Sequence, residues 1–394
     1  MKTLSASRSA LFITALLVSC TVLGLAGIDL VLPAIPALPN AIGGDLGQAQ
    51  LVLASFAAGT GVGLLLFGEL GASFDNRRLL ALAMLAYGLT SLSAVAVSKM
   101  SVLITLRLFQ GIFAACAAVV TPGIVRALFD NNAAIRALGV LGSIESLTPA
   151  FAPVVGLALL AAFGWSASFW VTGLLALTLS VLVLLADKRI PRVVGNPSRF
   201  GYLVLLRNPS FQRYALSQGC GLGALLVFVF AMPAVFVVAL KRDITDFIVM
   251  QVSGIAFFIL AANLSGHAVE RFGAERVIRL GATLALLGCL ALLTLAFMGV
   301  EQPWLIWLMF LPFNFGFGLR GPPTFFMGLQ ASNGDDARAS ALIILYVMLV
   351  TAGGTAAVAP FITLGMWPAA LTASLLSLTS LALLGLLPAH EQKD

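Results

Sequence analysis

Residues 9–36 read SALFITALLVSCTVLGLAGIDLVLPAIP, an apolar run that contains a single charged side chain, Asp29. About 20 apolar residues suffice for a helix to cross the hydrocarbon core of a bilayer. The run is too long for the apolar part of a cleaved signal peptide, and no small-residue cleavage site leads from it into a soluble domain. The sequence therefore predicts a membrane-spanning helix with a carboxylate inside it.

The whole chain shares this apolar character. Its 394 residues are 60% hydrophobic and 10% charged, with a mean hydropathy of +1.05, whereas soluble domains carry about 25% charged residues. Four cysteines, Cys20, Cys116, Cys220 and Cys289, lie far apart in apolar runs, and there are two histidines. This spacing favours neither a metal site nor a disulfide framework, so we expect no metal and no cofactor. No GxxxxGK[ST] stretch is present, which disfavours an ATP-driven pump.

Twelve segments are long and apolar enough to span a membrane. They are 9–36, 48–70, 79–98, 102–126, 137–162, 166–187, 211–239, 246–267, 278–299, 303–328, 339–363 and 367–387. The longest polar stretch follows the sixth segment and divides the chain into a six-helix bundle at 1–187, a cytoplasmic central loop at 188–210 and a second bundle at 211–394. The predicted fold class is an all-α membrane protein of twelve helices in two pseudo-symmetric bundles.

The basic residues indicate the orientation of these spans. If both termini are cytoplasmic, seventeen of the 22 Lys and Arg residues fall on the cytoplasmic side, including Arg199 and Lys393. Three, Lys99, Lys241 and Arg242, fall outside, and two lie within spans. An excess of this size follows the positive-inside rule. The net charge of +6 therefore indicates membrane topology, and we expect no nucleic-acid partner.

An internal repeat supports the division into two halves. The loop after the second span reads GELGASFDNRR, Gly68–Arg78, and the loop after the eighth reads GHAVERFGAER, Gly266–Arg276. Their first glycines are 198 residues apart, about half the chain. Two six-helix halves with a substrate site near the midplane between them are typical of secondary transporters.

Five stretches together resemble the drug:proton antiporters of the major facilitator superfamily, in particular the Bcr/CflA branch. They are Asp29 with LPAIPALP, RLFQG at Arg107–Gly111, SLTPAFAPVVG at Ser146–Gly156, the loop motif of the two repeats, and LLRNPSFQRYALSQG at Leu205–Gly219. The resemblance covers nearly the whole chain. It implies alternating access and proton-coupled export of small lipophilic compounds or drugs, from the bacterial inner membrane, by a monomer.

The resemblance also assigns roles to residues of this chain. It implies that Asp29 is a proton and cation site, that Arg107 is linked to proton transfer, and that Pro149, Pro153 and Gly156 form an antiporter motif. The loop motif implies gating residues, namely Gly68, Asp75, Arg77, Arg78, Gly266, Glu270, Arg271 and Gly273. The first loop departs from the family pattern, because Ala72 stands where the family has aspartate and Asp75 where it has glycine. This leaves open whether the first cytoplasmic latch is weak or Asp75 substitutes for the missing acid.

The charged residues within the spans each allow a structural and a functional interpretation. Asp29 is either hydrated at the outer interface or a cavity carboxylate that takes a proton and a cationic substrate in turn. Arg107 is either an arginine that snorkels to the outer interface or a cavity group that holds Asp29 ionised in one state. Glu145 is either a structural acid, hydrogen-bonded or protonated, or a second proton site or cation-selecting group. Arg320 either lies near the cytoplasmic mouth or faces the cavity and favours anionic or zwitterionic substrates.

Further substrate contacts are expected from polar and aromatic side chains. The candidate substrate-binding residues are Asp29, Gln110, Phe230, Asn314, Arg320 and Tyr346. For the aromatic and small residues, ordinary packing inside the helix bundle is the alternative. An exporter of a metabolite such as a sugar, amino acid or siderophore is the main rival function. A membrane-embedded enzyme would need a cluster of His, Asp or Cys that this sequence lacks, and a channel would show high flux without proton exchange.

Overall fold

The computed structural model describes residues 2–44, 46–193, 201–300 and 302–389. Residues 194–200 of the predicted central loop, with the basic residue Arg199, lie outside the described residues, and so does the basic residue Lys393. Every regular element in the described ranges is helical. The all-α fold class is thereby confirmed.

Twelve long helices and several short ones make up these ranges. The α-helices are α1 (Lys2–Asp29), α2 (Leu38–Ile42), α3 (Leu46–Ser73), α4 (Asn76–Val95), α5 (Met100–Leu128), α6 (Asn131–Phe163), α7 (Ala167–Leu185), α8 (Tyr202–Arg207), α9 (Pro209–Ala234), α10 (Ile244–Phe272), α11 (Ala274–Phe297), α12 (Pro303–Ala331), α13 (Asp336–Val358) and α14 (Trp367–Leu386). Short 3₁₀ segments follow at Leu32–Ala37 and Ala359–Leu364, and a π-helical turn at Val235–Ala239. All but α2 and α8 coincide with one of the twelve predicted spans.

Among the described residues, ten helices are long and apolar enough to cross a membrane. An eleventh span is obtained when Asn131–Pro149 and Phe151–Phe163, the two parts of α6 that are bent by 43°, are taken together. The helix α12 is 29 residues long but is not among them. It carries three internal prolines and the polar residues Asn314 and Arg320, which lower its hydropathy.

The internal repeat is visible in the packing of the helices. In the first half, α3 packs on α5, α4 on α7, and α1 on both α5 and α7. In the second half, α10 packs on α12, α11 on α14, and α9 on both α12 and α14. Helices at equivalent places in the two sets of six therefore make equivalent contacts, as the repeated loop motif predicts.

The chain forms two compact units, and each unit includes one short segment from the other half of the sequence. The first unit comprises Met1–Phe129, Ile144–Arg199 and Gly334–Ala341, and the second comprises Asp130–Ser143, Phe200–Asn333 and Leu342–Asp394. The first turns of α6 thus belong to the second unit, and the first turns of α13 belong to the first unit. Each of these helices contributes to both units.

The core of the second unit is rich in aromatic side chains. Phe228, Phe310 and Phe313 are fully buried, and their ring centroids lie 5.6 to 6.3 Å apart. Phe317 stacks on Phe258. These rings pack against one another, so the structural interpretation of the aromatic residues holds for Phe313 and Phe317. All four cysteines are buried and free.

Candidate functional site

Asp29 is the last residue of α1, at a break within the first span. The span predicted as one helix changes here to a turn and then to the 3₁₀ segment Leu32–Ala37, because Pro33 and Pro36 lack the N–H that a continuous α-helix needs. The backbone N–H of Ala34 bonds to Val31, which frees the carbonyl of Leu30. That carbonyl accepts a hydrogen bond from Ser168 Oγ of α7 at 2.8 Å.

Two carboxylates of the first unit, Asp29 and Glu145, form no ion pair with the described residues. The side chain of Asp29 is half-buried and forms no hydrogen bond or ion pair with the described residues. Glu145 is also half-buried, lies against Thr21 of α1, and forms no ion pair with the described residues. Since α6 begins at residue 131, Glu145 lies near the middle of its helix, deeper than the predicted boundary placed it.

Arg107 is a buried cation in the same unit. Its side chain is 1% exposed, with Nε donating to the Val52 carbonyl at 3.2 Å and Nη1 donating to Gln110 Oε1 at 3.0 Å. The guanidinium carbon lies 4.2 Å from the centre of the Phe56 ring, a cation–π contact. Nη2 has no acceptor among the described residues. The structure thus brings Arg107 and Gln110 together as the RLFQG pattern implies, but Arg107 and Asp29 form no ion pair.

The glycine of RLFQG permits this arrangement. A Cβ atom at Gly111 would lie 2.0 Å from the Phe56 carbonyl oxygen, so only glycine lets α5 approach α3 this closely. Phe56 also supplies the ring that covers Arg107. The motif therefore combines a charge with the small residue needed to bury it.

Arg320 is the corresponding buried cation of the second unit, on α12. Its side chain is 1% exposed. Nη1 donates to Ser380 Oγ at 2.5 Å, and Nη2 donates to the Ser217 carbonyl at 3.1 Å and to Ser217 Oγ at 2.7 Å. Nε has no acceptor, and no carboxylate pairs with this arginine in the described part of the chain. Arg107 and Arg320 occupy the fourth long helix of each set of six, at different positions along it.

Three other substrate candidates, Phe230, Asn314 and Tyr346, lie on α9, α12 and α13. Phe230 on α9 is 56% exposed, in contrast to its buried neighbour Phe228. Asn314 is buried and donates to the Phe310 carbonyl of its own helix at 3.0 Å. Tyr346 donates from its hydroxyl to Gln212 Oε1 at 3.0 Å. Their role in substrate binding remains a prediction.

In the first copy of the loop motif, Asp75 joins the loop to the start of α4. Asp75 caps α4 by accepting from the backbone N–H of Arg77 at 3.1 Å, and its Oδ2 pairs with Arg77 Nη2 at 2.7 Å. The Arg77 guanidinium hydrogen bond lowers the pKa of Asp75 below its usual range. Arg77 Nη1 also pairs with Asp187 at 3.4 Å. Gly68 is buried and Arg78 is exposed.

The second copy of the motif forms an ion pair with the start of α6. Glu270 near the end of α10 pairs with Arg136, and both side chains are about two-fifths exposed. Gly266 is buried against the Arg136 side chain, so a side chain at this position would displace it. Gly273 ends α10 with a φ of +81°, which favours glycine. Arg271 lies over the ring of Phe272 at 5.4 Å.

The antiporter motif lies in the bent helix α6. Pro149 and Pro153 fall inside this helix and flank its 43° bend, as expected for residues that remove backbone donors. A Cβ at Gly156 would lie 2.4 Å from the Leu30 carbonyl oxygen. The second part of α6 therefore approaches the chain closely at the break beside Asp29.

Two sets of polar residues were missed in the sequence. The first set, Ser217 and Ser380, holds Arg320. The second set, Glu69, Asp335 and Arg338, forms an ion-pair cluster around the buried Arg338 in the first unit. A serine in an apolar helix does not by itself indicate a contact with an arginine. Arg338, however, occupies the position in the second half of the sequence that Arg136 occupies in the first half. Comparison of the two halves of the sequence would have found it.

Comparison with known proteins agrees with this architecture. A chloramphenicol resistance protein of Pseudomonas aeruginosa is 28% identical over 67% of this chain and 62% of its own length. A bicyclomycin resistance protein homolog of Haemophilus influenzae is 26% identical over 80% of this chain and 77% of its own. The match to the Pseudomonas protein thus spans less than two thirds of that relative.

Solved structures and a family model extend the comparison to the whole fold. The E. coli fucose:proton symporter FucP superposes with a TM-score of 0.74 at 17% identity, over 96% of this chain and 99% of that one. The human organic anion transporter MFSD10 superposes with a TM-score of 0.73 at 16% identity, over the same shares of the two chains. The family model of the Major Facilitator Superfamily matches residues 17–358. The chain is therefore a membrane transporter that belongs to the Major Facilitator Superfamily.

Proposed function

We propose that this transporter is a proton-coupled antiporter that exports small lipophilic compounds or drugs by alternating access. The observation that carries the proposal is Asp29, a carboxylate inside the span Ala10–Ile35 that pairs with no cation in the described part of the chain. An ionised carboxylate within a bilayer costs several kcal/mol unless it is paired or hydrated. An acid in this position is well suited to bind a proton in one state and a cationic or neutral substrate in another.

Glu145 and Arg107 complete the proton-coupling set. Glu145 supplies a second unpaired acid on α6, next to α1. Arg107 keeps one hydrogen-bond donor, Nη2, without an acceptor among the described residues. A buried guanidinium with a free donor can attract a carboxylate that moves toward it and so favour release of its proton. The names of the bacterial relatives, resistance to chloramphenicol and to bicyclomycin, support lipophilic compounds as the cargo.

The proposed setting is the inner membrane of a bacterium, with both termini cytoplasmic and the protein acting as a monomer. The excess of Arg and Lys on one side of the predicted spans supports this orientation. Substrate and protons are its only proposed partners besides lipid. We assign α12 as the twelfth span on the strength of its length and of its place in the repeated packing.

The test uses cells that lack their own multidrug pumps and express this protein. Ethidium loaded into starved cells should leave on addition of glucose, and a protonophore should stop this efflux. The Asp29→Asn variant should reach the membrane in normal amount yet lose at least about tenfold in efflux rate, equivalent to ~1.4 kcal/mol. The matched control is Asp243→Asn, an exposed acid that caps α10 outside the spans. Equal efflux by wild type and Asp29→Asn would refute the proposed role of Asp29.

A second candidate function is supported by Arg320. A fully buried guanidinium with only serine and carbonyl partners keeps its net charge uncompensated in this structure. Such a charge favours a cargo with an anionic group, such as an acidic metabolite or a siderophore. Arg320→Met should then abolish export of an anionic probe such as fluorescein and spare ethidium. If ethidium is exported and fluorescein is not, by wild type and variant alike, the first function stands and Arg320 is structural.

A further inference from the structure

The two copies of the repeated loop form ion pairs in different registers. In the second copy, Glu270 pairs with Arg136 in the first turns of α6. The position equivalent to Glu270, 198 residues earlier, is Ala72, which is fully buried and has no charge. The acid of the first copy is Glu69, three residues before Ala72 and thus on the same face of α3. Glu69 pairs with Arg338 in the first turn of α13.

The arginines of the two pairs are equivalent. Arg136 and Arg338 are 202 residues apart, close to the repeat length, and each lies at the start of the fifth long helix of its half. The two copies therefore use equivalent arginines, but the acid of the first copy lies one helical turn earlier in the sequence than that of the second. Asp75, the other candidate for the missing acid, pairs instead with Arg77 and Arg192.

The shifted pair is better formed than its counterpart. Arg338 Nε donates to Glu69 Oε2 at 2.8 Å and Nη2 donates to Oε1 at 2.6 Å, a bidentate pair. Nη1 donates to Asp335 Oδ2 at 2.7 Å, and the Arg338 side chain is 1% exposed. The Glu69 carboxylate itself is 52% exposed, so the burial of this pair lies on the arginine side. Removal of Glu69 leaves a buried guanidinium with Asp335 as its remaining acid, whereas both partners of Arg136–Glu270 are about two-fifths exposed and can be hydrated when apart.

Close packing surrounds the pair. A Cβ at Gly71 would lie 2.7 Å from Ala337 Cβ, so α3 and the start of α13 touch at this glycine. Arg126 of α5 pairs with Asp336 at 2.5 Å. The residues Gly334–Ala341 thus belong to the first unit, although α13 continues into the second unit from Leu342. The ion pairs of Asp336 and Arg338 therefore fix one end of α13, a helix whose residues are divided between the two units.

We infer that Glu69 replaces the carboxylate absent at position 72, and that the Glu69–Arg338 pair sets how often the start of α13 separates from α3 during transport. The first copy of the loop motif, which departs further from the family pattern, then forms the stronger of the two ion pairs. The inference rests on the proposed alternating-access cycle for its role in transport. The opening of the pair itself is measurable without substrate or a proton gradient.

Ser340 provides the reporter. It is fully buried among the turns that belong to the first unit, and its hydroxyl has no partner among the described residues. In a background with alanine at the four native cysteines, Ser340→Cys is alkylated by N-ethylmaleimide only when these turns open. The purified protein in detergent is used, and size-exclusion profiles check that every variant is folded.

Glu69→Gln should raise the alkylation rate about tenfold, and the matched variant Glu270→Gln should raise it less than about threefold. The double variant with Glu69→Gln and Ala72→Asp places the acid in the register of Glu270 and should restore slow alkylation. A wild-type rate in Glu69→Gln, or an equal gain in Glu270→Gln, would overturn the inference. Because neither ethidium nor a pH gradient enters this assay, its outcome is independent of the outcome for Asp29.

Discussion

At the scale of the residue, Arg320 shows how a buried charge is accommodated without a counter-ion. Ser217 and Ser380 accept from the guanidinium and also bond to each other, since each hydroxyl donates to the other residue's carbonyl, at 2.8 and 2.6 Å. The serines therefore keep partners when the arginine is removed, whereas the arginine loses partners when the serines are removed. Replacing the two serines should therefore cost more unfolding free energy than replacing Arg320.

We expect the double variant Ser217→Ala, Ser380→Ala to lose at least about 2 kcal/mol of unfolding free energy, because Arg320 Nη1 is then buried without an acceptor and Nη2 keeps only the Ser217 carbonyl. Arg320→Met should stay within about 1 kcal/mol of wild type. Chemical unfolding in detergent micelles measures both. Ser374→Ala is the control, since Ser374 is buried on α14 but bonds only to Ala370 of its own helix. Equal losses in the serine and arginine variants would contradict this account.

Asp75 is a residue whose contribution depends on pH. The Arg77 guanidinium lowers the pKa of Asp75 below the ordinary 3.8, so its ionised form is favoured in the folded protein. A lowered pKa contributes stability above the unfolded pKa, and this contribution disappears as the pH falls through the folded pKa. Burial instead raises the pKa of Asp335, which should take up a proton before Asp75 does.

Asp75→Ala should therefore cost about 1 kcal/mol at neutral pH, through loss of the α4 cap and of the ion pair. Asp75→Asn keeps the cap and should lose less. Thermal unfolding between pH 7 and pH 3 should show the difference between wild type and Asp75→Asn shrinking below pH ~4. A difference that stays constant over this range would show that the charge of Asp75 does not contribute.

At the scale of the element, the break after Asp29 depends on one hydrogen bond from another helix. Ser168 of α7 satisfies the Leu30 carbonyl that the 3₁₀ segment leaves unpaired. Ser168→Ala should destabilise the protein by about 1–3 kcal/mol, because that carbonyl is then buried without a donor. Thr178→Ala on the same helix is the control, since its exposed hydroxyl bonds within α7. Loss of the same size in both variants would mean that the break does not depend on Ser168.

The same elements show what could be predicted from the sequence. The twelve long helices were predictable because each needs only a local run of apolar residues. The break after Asp29 was missed as a boundary, although Pro33 and Pro36 mark it. The Glu69–Arg338 pair joins residues 269 positions apart in the sequence, and its acid lies one turn from the motif position. No local pattern predicts such a pair: comparison of the two halves of the sequence points to Arg338, but only the structure shows that Glu69 is its acid.

At the scale of the whole molecule, four charged residues well inside the spans form no ion pair with the described residues. Asp29 and Glu145 have no cation, and Arg107 and Arg320 have no carboxylate, among the described residues. Four unpaired groups are costly in a membrane and are usually retained for function. By contrast, Arg338 and Asp75, at helix ends, are paired. Three of these four groups, Asp29, Glu145 and Arg107, are the ones that the proposed proton cycle uses.

Proton antiport is tested most directly in proteoliposomes that contain pyranine as a lumenal pH indicator. A gradient of ethidium, chloramphenicol or bicyclomycin is imposed across the membrane, for wild type and for Asp29→Asn. We predict that at least one compound evokes proton movement opposite to its own, and that this movement is absent in Asp29→Asn. Transport of a compound by wild type without any pH change, or an undiminished pH change in Asp29→Asn, would contradict the proposal that Asp29 couples protons to export.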